Sequence, residues 1–162
     1  MVSSGTATVE LPTDEQILIR REFDAPKHLV FKAYTTPELV KRWWSGQRGE
    51  VTIAEIDLRV GGKWRYVMVA GEGFEVAFHG EYREIVPDER LVSTEIYEIP
   101  DQGDSPPTVN TATFTETDGR TTLTVLVECP TKELRDTIID SGMEGGMQEA
   151  YDALERVAAS LS

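Results

Sequence analysis

Glu55, Asp57, Glu81 and Glu95, with His28 and His79, are the side chains of this 162-residue sequence best suited to moving a proton. A carboxylate shut in a pocket has a raised pKa and can act as general acid or base. Glu55 and Asp57, however, alternate with Arg59 along one strand face, a pattern that equally describes charge pairing on a solvated outer face. Ala54, Ile56 and Leu58 supply an apolar inner face between them, which favours the outward reading, and Glu81 and Glu95 in the same meander are read likewise. Neither histidine has another histidine or a cysteine at metal-ligand spacing, so no zinc site is expected, and nothing calls for a cofactor. No G-x-S-x-G elbow or phosphate-cradling glycine loop is present. Cys129, just before Pro130, reads as a small buried hydrophobe rather than a nucleophile. No residue is assigned a catalytic role.

The aromatic and methionine side chains are more informative. Trp64, Tyr66 and Met68 share one strand face, and Phe74, Val76, Phe78 and Tyr82 share a face of the next strand. Met143, Met147, Ala150, Tyr151, Leu154, Ala158 and Leu161 form one stripe at helical spacing. Such residues line adaptable apolar pockets and also fill solid cores, so both readings stand at this point. Upstream, AYTTPELVKRWWSG sets Trp43 beside Trp44. Adjacent helix positions lie about 100° apart, so the two rings face different ways. Trp44 is expected to point inward at a pocket mouth and Trp43 to cover a strand edge; the alternative reading packs both rings into the core as filling. The expected ligand-binding set is Trp44, Trp64, Tyr66, Phe78, Met143, Met147 and Tyr151.

These side chains need elements to hold them. EQILIRREF (15–23) reads as a strand. Asp24 is placed as the cap of a short helix with Pro26 in its first turn; Thr36 and Pro37 then open a second one, ended by Gly46. From Val51 the period becomes two. VTIAEIDLRV and KWRYVMVA flank the Gly61–Gly62 turn; FEVAFHGEYREIV and LVSTEIYEI follow. PDQGDSPP is a polar loop, and TVNTATFTET and TTLTVLVEC are joined by a DG turn. The total is six to seven strands, sequential and antiparallel. A single helix over 131–161 would run roughly 45 Å, against a domain radius of gyration of about 15 Å. Gly142, Gly145 and Gly146 supply the break: a short helix, a loosening near Gly142, then a long helix.

Strands, two short helices and one long helix pack as an α+β domain in which a curved sheet grips the long helix, leaving a cavity between them. The length suits one domain, with residues 1–13 as a flexible lead-in. Sixteen basic and 29 acidic residues give a net charge of −13, which repels phosphate backbones and anionic lipid surfaces. Nucleic acid is therefore not an expected partner. No apolar run is long enough for membrane insertion, and the N-terminus has no basic and apolar regions of a secretory signal. A lone cysteine fits a reducing cytoplasm.

The set IRREFDAPKHLVFKAYTTPELVKRWW, EIDLRVGGKWRYVM, HGEYREIVPDERLVSTE, GRTTLTV and SGMEGGMQEAYDALERV resembles the SRPBCC superfamily of START and birch-pollen-allergen-like domains. Within it, the chain is similar to homologues of the activator of heat-shock protein 90 ATPase, from about Thr13 to Leu161. The resemblance implies a helix-grip fold and a hydrophobic ligand cavity. Binding of a small apolar molecule is the leading expectation. A cyclase, aromatase or small hydrolase on an apolar substrate is the enzymatic alternative. A chaperone-associated, stress-response module with a protein partner, or a homodimer, is the third.

Overall fold

The computed structural model describes residues 7–71, 73–99 and 103–161. Alternation builds its first long strand. In β2 (Gln16–Phe23), Ile17, Ile19, Arg21 and Phe23 are buried while Arg20 and Glu22 are exposed. The chain then turns into α1 (Lys27–Thr35). Pro26, not Asp24, takes the cap position, since its ring already holds φ at −69° with an extended ψ. The Asp24 side chain pairs instead with Arg120 at 3.6 Å. Thr36 does cap α2 (Pro37–Val40), though its side chain accepts no capping hydrogen bond. That helix lasts one turn, and residues 41–47 continue as successive turns rather than as helix up to Gly46.

The meander follows as β3 (Gly49–Ile56), β4 (Lys63–Ala70), β5 (Glu75–Val86), β6 (Arg90–Ile99), β8 (Thr108–Thr117) and β9 (Arg120–Glu128), all pairing antiparallel. β9 closes back on β2, whose other edge takes the short β1 (Thr8–Glu10), giving the spatial order β1-β2-β9-β8-β6-β5-β4-β3. Two short strands raise the count to nine among the described residues, above the six or seven expected. β1 (Thr8–Glu10) pairs along β2 inside the stretch read as a lead-in, and β7 (Gly103–Asp104) pairs with β6 inside the proline-rich loop. Strands of two or three residues carry too little periodicity to be legible in a sequence.

At the C-terminus α3 (Lys132–Asp140) and α4 (Met143–Ser160) meet at Gly142, whose φ of 82° is left-handed. The chain breaks there because that conformation suits glycine. Helix resumes at once, with Gly145 and Gly146 inside α4.

The curved sheet grips α4 and α1, which is the helix-grip α+β arrangement. Tyr151 of α4 meets Phe23 edge to face at 5.8 Å, and Phe31 of α1 meets Phe114 of β8 at 5.4 Å. Leu154, Val157 and Ala158 complete the buried face of α4. A charged cluster lies under the same helix. The fully buried Arg21 side chain bonds Asp152 and the Glu22 carbonyl, sits 3.7 Å from Glu155, and rests over the Phe23 ring.

Candidate functional site

The site is built on strand parity. Trp64 and Tyr66 lie on the face of β4 turned to the interior, and Tyr66 stands opposite Phe78 of β5. Trp64 stands opposite Gly80, and the missing side chain there makes room for the indole. A Cβ on Gly80 would lie 2.6 Å from Trp64 Nε1 and 1.8 Å from the Thr94 carbonyl oxygen. Trp64 Nε1 donates to that carbonyl at 3.2 Å, and the Glu81 N–H donates to Thr94 Oγ1 at 3.0 Å. Side chains therefore take over part of the β5–β6 ladder, whose regular pairs stop at His79–Ile96 and resume at Tyr82–Ser93.

Beyond this seam, Leu91, Ser93 and Glu95 of β6 and Asn110 and Ala112 of β8 share the inner face, with Tyr82 of β5 beside them. The helical side is supplied by Tyr34 of α1 and by Trp43 and Trp44 after α2. Together with Trp64 and Tyr66 they enclose a cavity of about 80 Å³. One water needs about 10–15 Å³ on the same scale, so a few heavy atoms fit.

Glu95 is the one carboxyl in this lining. Asn110 Nδ2 donates to its Oε1 at 3.3 Å, and Thr108 Oγ1 donates to Asn110 Oδ1 at 3.0 Å, which orients the amide. Burial pushes the Glu95 carboxyl above the usual carboxylate range, and the Asn110 bond only partly offsets that. Burial likewise raises the phenols of Tyr34, Tyr66 and Tyr82, with Tyr66 and Tyr82 hydrogen-bonded through their side chains. The cavity thus joins a carboxyl that favours its protonated form to an aromatic wall carrying neutral hydroxyls.

Of the seven residues expected to bind ligand, Trp44, Trp64 and Tyr66 line this cavity. Phe78 stands behind Trp44, at 5.8 Å edge to face, and stacks on Tyr97. Met143 and Met147 are partly buried against the core but outside the cavity lining. Tyr151 is buried on Phe23, also outside the lining, although the charge of Glu95 still reaches its raised phenol. The cause is a displaced partner: Tyr34, Trp43 and Trp44, not α4, roof this part of the sheet.

The tryptophan pair also departs from its expected split. Trp43 does not cover a strand edge. It is 5% exposed, stacks on Tyr34 at 5.6 Å and donates from Nε1 to the Ala33 carbonyl at 2.9 Å. Both rings reach the cavity because they sit on tight successive turns, with the N–H groups of Trp43 and Trp44 sharing the Val40 carbonyl.

Glu95 is the residue that sequence reasoning placed on the wrong face. In LVSTEIYEI the inward positions Leu91, Ser93 and Glu95 are less apolar than the outward Val92, Thr94 and Ile96, so hydropathy alone inverts the strand. The register with β8, which sets Leu91 opposite Ala112 and Ser93 opposite Asn110, is the signal that corrects it. The other candidates do lie outside the cavity. Asp57 pairs with Arg59, and Glu81 with Lys63. His79 Nδ1 lies 2.8 Å from Glu98, which also receives two 2.9 Å bonds from Arg65. Chiefly through Arg65, that carboxyl is held down to about 2. Cys129 is buried, and its thiol is raised by burial. No helix among the described residues is long and apolar enough to cross a membrane.

Comparison with solved structures places this architecture among bacterial proteins. A Rhodobacter sphaeroides protein superposes with a TM-score of 0.87 at 26% identity, covering 96% of this chain and 99% of its own. A Staphylococcus epidermidis protein gives 0.79 at 27%, covering 96% and 95%, and Mycobacterium smegmatis Ms6760 gives 0.80 at 25%, covering 96% and 97%. No curated protein matches the chain. The family profile described as "Activator of Hsp90 ATPase homolog 1-like protein" matches residues 24–159. The chain therefore belongs to that family and, through it, to the SRPBCC superfamily.

Proposed function

We propose that this protein binds a small, largely apolar molecule in the cavity between β4–β8 and the Trp43–Trp44 turn, with one polar group of the ligand meeting Glu95. The observation that carries this reading is the pairing of an aromatic enclosure with a single open carboxyl. The volume of about 80 Å³ is below the ~300–1,000 Å³ of pockets that bury drug-sized ligands, so the guest is small or inserts only one end. Binding is better supported than catalysis. Beside Glu95 the lining sets Ser93 and three tyrosine hydroxyls but no histidine, lysine, arginine or cysteine, and burial holds those phenols above their ordinary pKa, away from the neutral range in which an acid–base partner works best.

Tryptophan indole N–H signals in a two-dimensional NMR spectrum provide the test, because all three tryptophans of the chain line the cavity. Small aromatic and aliphatic compounds that occupy it shift these signals saturably and raise the Tm. Ligands that raise Tm while leaving all three indoles unmoved would place binding elsewhere and defeat the reading.

A further inference from the structure

Resting on that reading, we propose that the polar end of the ligand is a small organic cation, an alkylated ammonium group held against Glu95 within the aromatic walls. The lining contains one acidic side chain, no basic one and six aromatic rings. Ring faces carry the negative lobe of the quadrupole and attract ammonium groups. Trp44 and Tyr66 meet at 66° with centroids 5.4 Å apart, and Trp64 and Tyr66 at 50° with centroids 4.8 Å apart. Rings at such angles form adjoining walls of a box rather than one flat stack.

Glu95 completes the box. Asn110 satisfies Oε1, while Oε2 accepts no hydrogen bond among the described residues. A purely apolar guest would leave that oxygen buried without a partner, which is costly. An anionic guest would meet a carboxyl and the negative ring faces with no basic side chain to receive it. A cation gains from both features, and the net charge of −13 draws cations toward the protein. An ammonium nitrogen with its methyl groups is only a few heavy atoms, matching the cavity.

Protonation follows from the same geometry. The groups facing Glu95 are Tyr34 from α1, Tyr66 from β4, Tyr82 from β5, Asn110 from β8 and, at longer range, Tyr151 from α4. All four phenols are held above their ordinary pKa, so Glu95 alone titrates in the neutral and acid range. Burial holds its carboxyl above the usual range, and a cation binds the ionised form. Cation binding therefore releases a proton, and affinity rises with pH until Glu95 is fully ionised in the free protein.

The experiment titrates the full chain with choline and with its neutral carbon isostere, 3,3-dimethylbutan-1-ol, by calorimetry and indole NMR at several pH values. Choline is expected to bind about tenfold or more tightly than the isostere, with affinity rising with pH. Glu95→Gln, checked for folding by circular dichroism, is expected to cut that preference to the part the ring faces supply and to abolish the pH dependence. Equal binding of the two probes, or a preference and pH dependence undiminished in Glu95→Gln, overturns the cation assignment and leaves the small-ligand reading standing. Failure of both probes to bind overturns the cation assignment, whereas the small-ligand reading then rests on its own compound screen.

Discussion

Gly80→Ala tests whether the seam beside the cavity is held as the structure describes. The added Cβ would lie 1.8 Å from the Thr94 carbonyl oxygen and 2.6 Å from Trp64 Nε1. A carbon and a carbonyl oxygen settle no closer than about 3.3 Å, so β5 and β6 must part by roughly 1.5 Å. That movement lengthens the Trp64–Thr94 and Glu81–Thr94 hydrogen bonds beyond use, at about 1 kcal/mol each. Overpacking between backbones adds about 1–3 kcal/mol. The expected loss is therefore about 3–5 kcal/mol, a large share of the ~5–15 kcal/mol that holds a typical domain. Urea unfolding followed by tryptophan fluorescence measures it. Gly71→Ala is the control, because a Cβ there meets nothing within 4 Å, and its cost should stay within about 0.5 kcal/mol. Equal midpoints for the two variants would refute the reasoning. A Gly80→Ala protein that cannot be recovered folded beside a well-behaved Gly71→Ala counts in its favour.

Arg21→Met should cost about 3–5 kcal/mol in the same assay, because Glu155, its side chain only 5% exposed, loses its guanidinium. Adding Glu155→Leu should recover part of that loss, and a single-variant cost under about 1 kcal/mol would show that the cluster is no buried ion pair. On the outer face, Glu98 has a folded-state pKa depressed to about 2, so its contribution is present above the ordinary carboxylate range and is lost as pH falls toward that value. Carbon-detected NMR of the carboxyl should place its midpoint there, Arg65→Gln should move the midpoint up, and an unmoved midpoint would mean that the 2.9 Å pair does not persist in solution.

The class of fold is legible in the order of residues alone, because each long element is specified by local chemistry. KWRYVMVA opens in alternation and is β-prone throughout, and β4 occupies those eight residues, Lys63–Ala70. The Gly142 break is equally local, since a left-handed turn in a helical run favours glycine. Parity alone also set Trp64 and Tyr66 on one face of β4. Tertiary structure decided which face each weakly patterned strand buries and which element covers which. Glu95 turns inward because β6 takes its register from β8, a choice that alternation of serine, threonine and glutamate leaves open. Arg21 lies buried because Asp152 and Glu155, over 130 residues away, arrive above it on α4. Met143 and Met147 missed the cavity for the converse reason: a helix stripe states which residues are buried, not against what. The Trp43–Trp44 turn, folded over the sheet beside α1, took the place that the stripe alone assigned to α4.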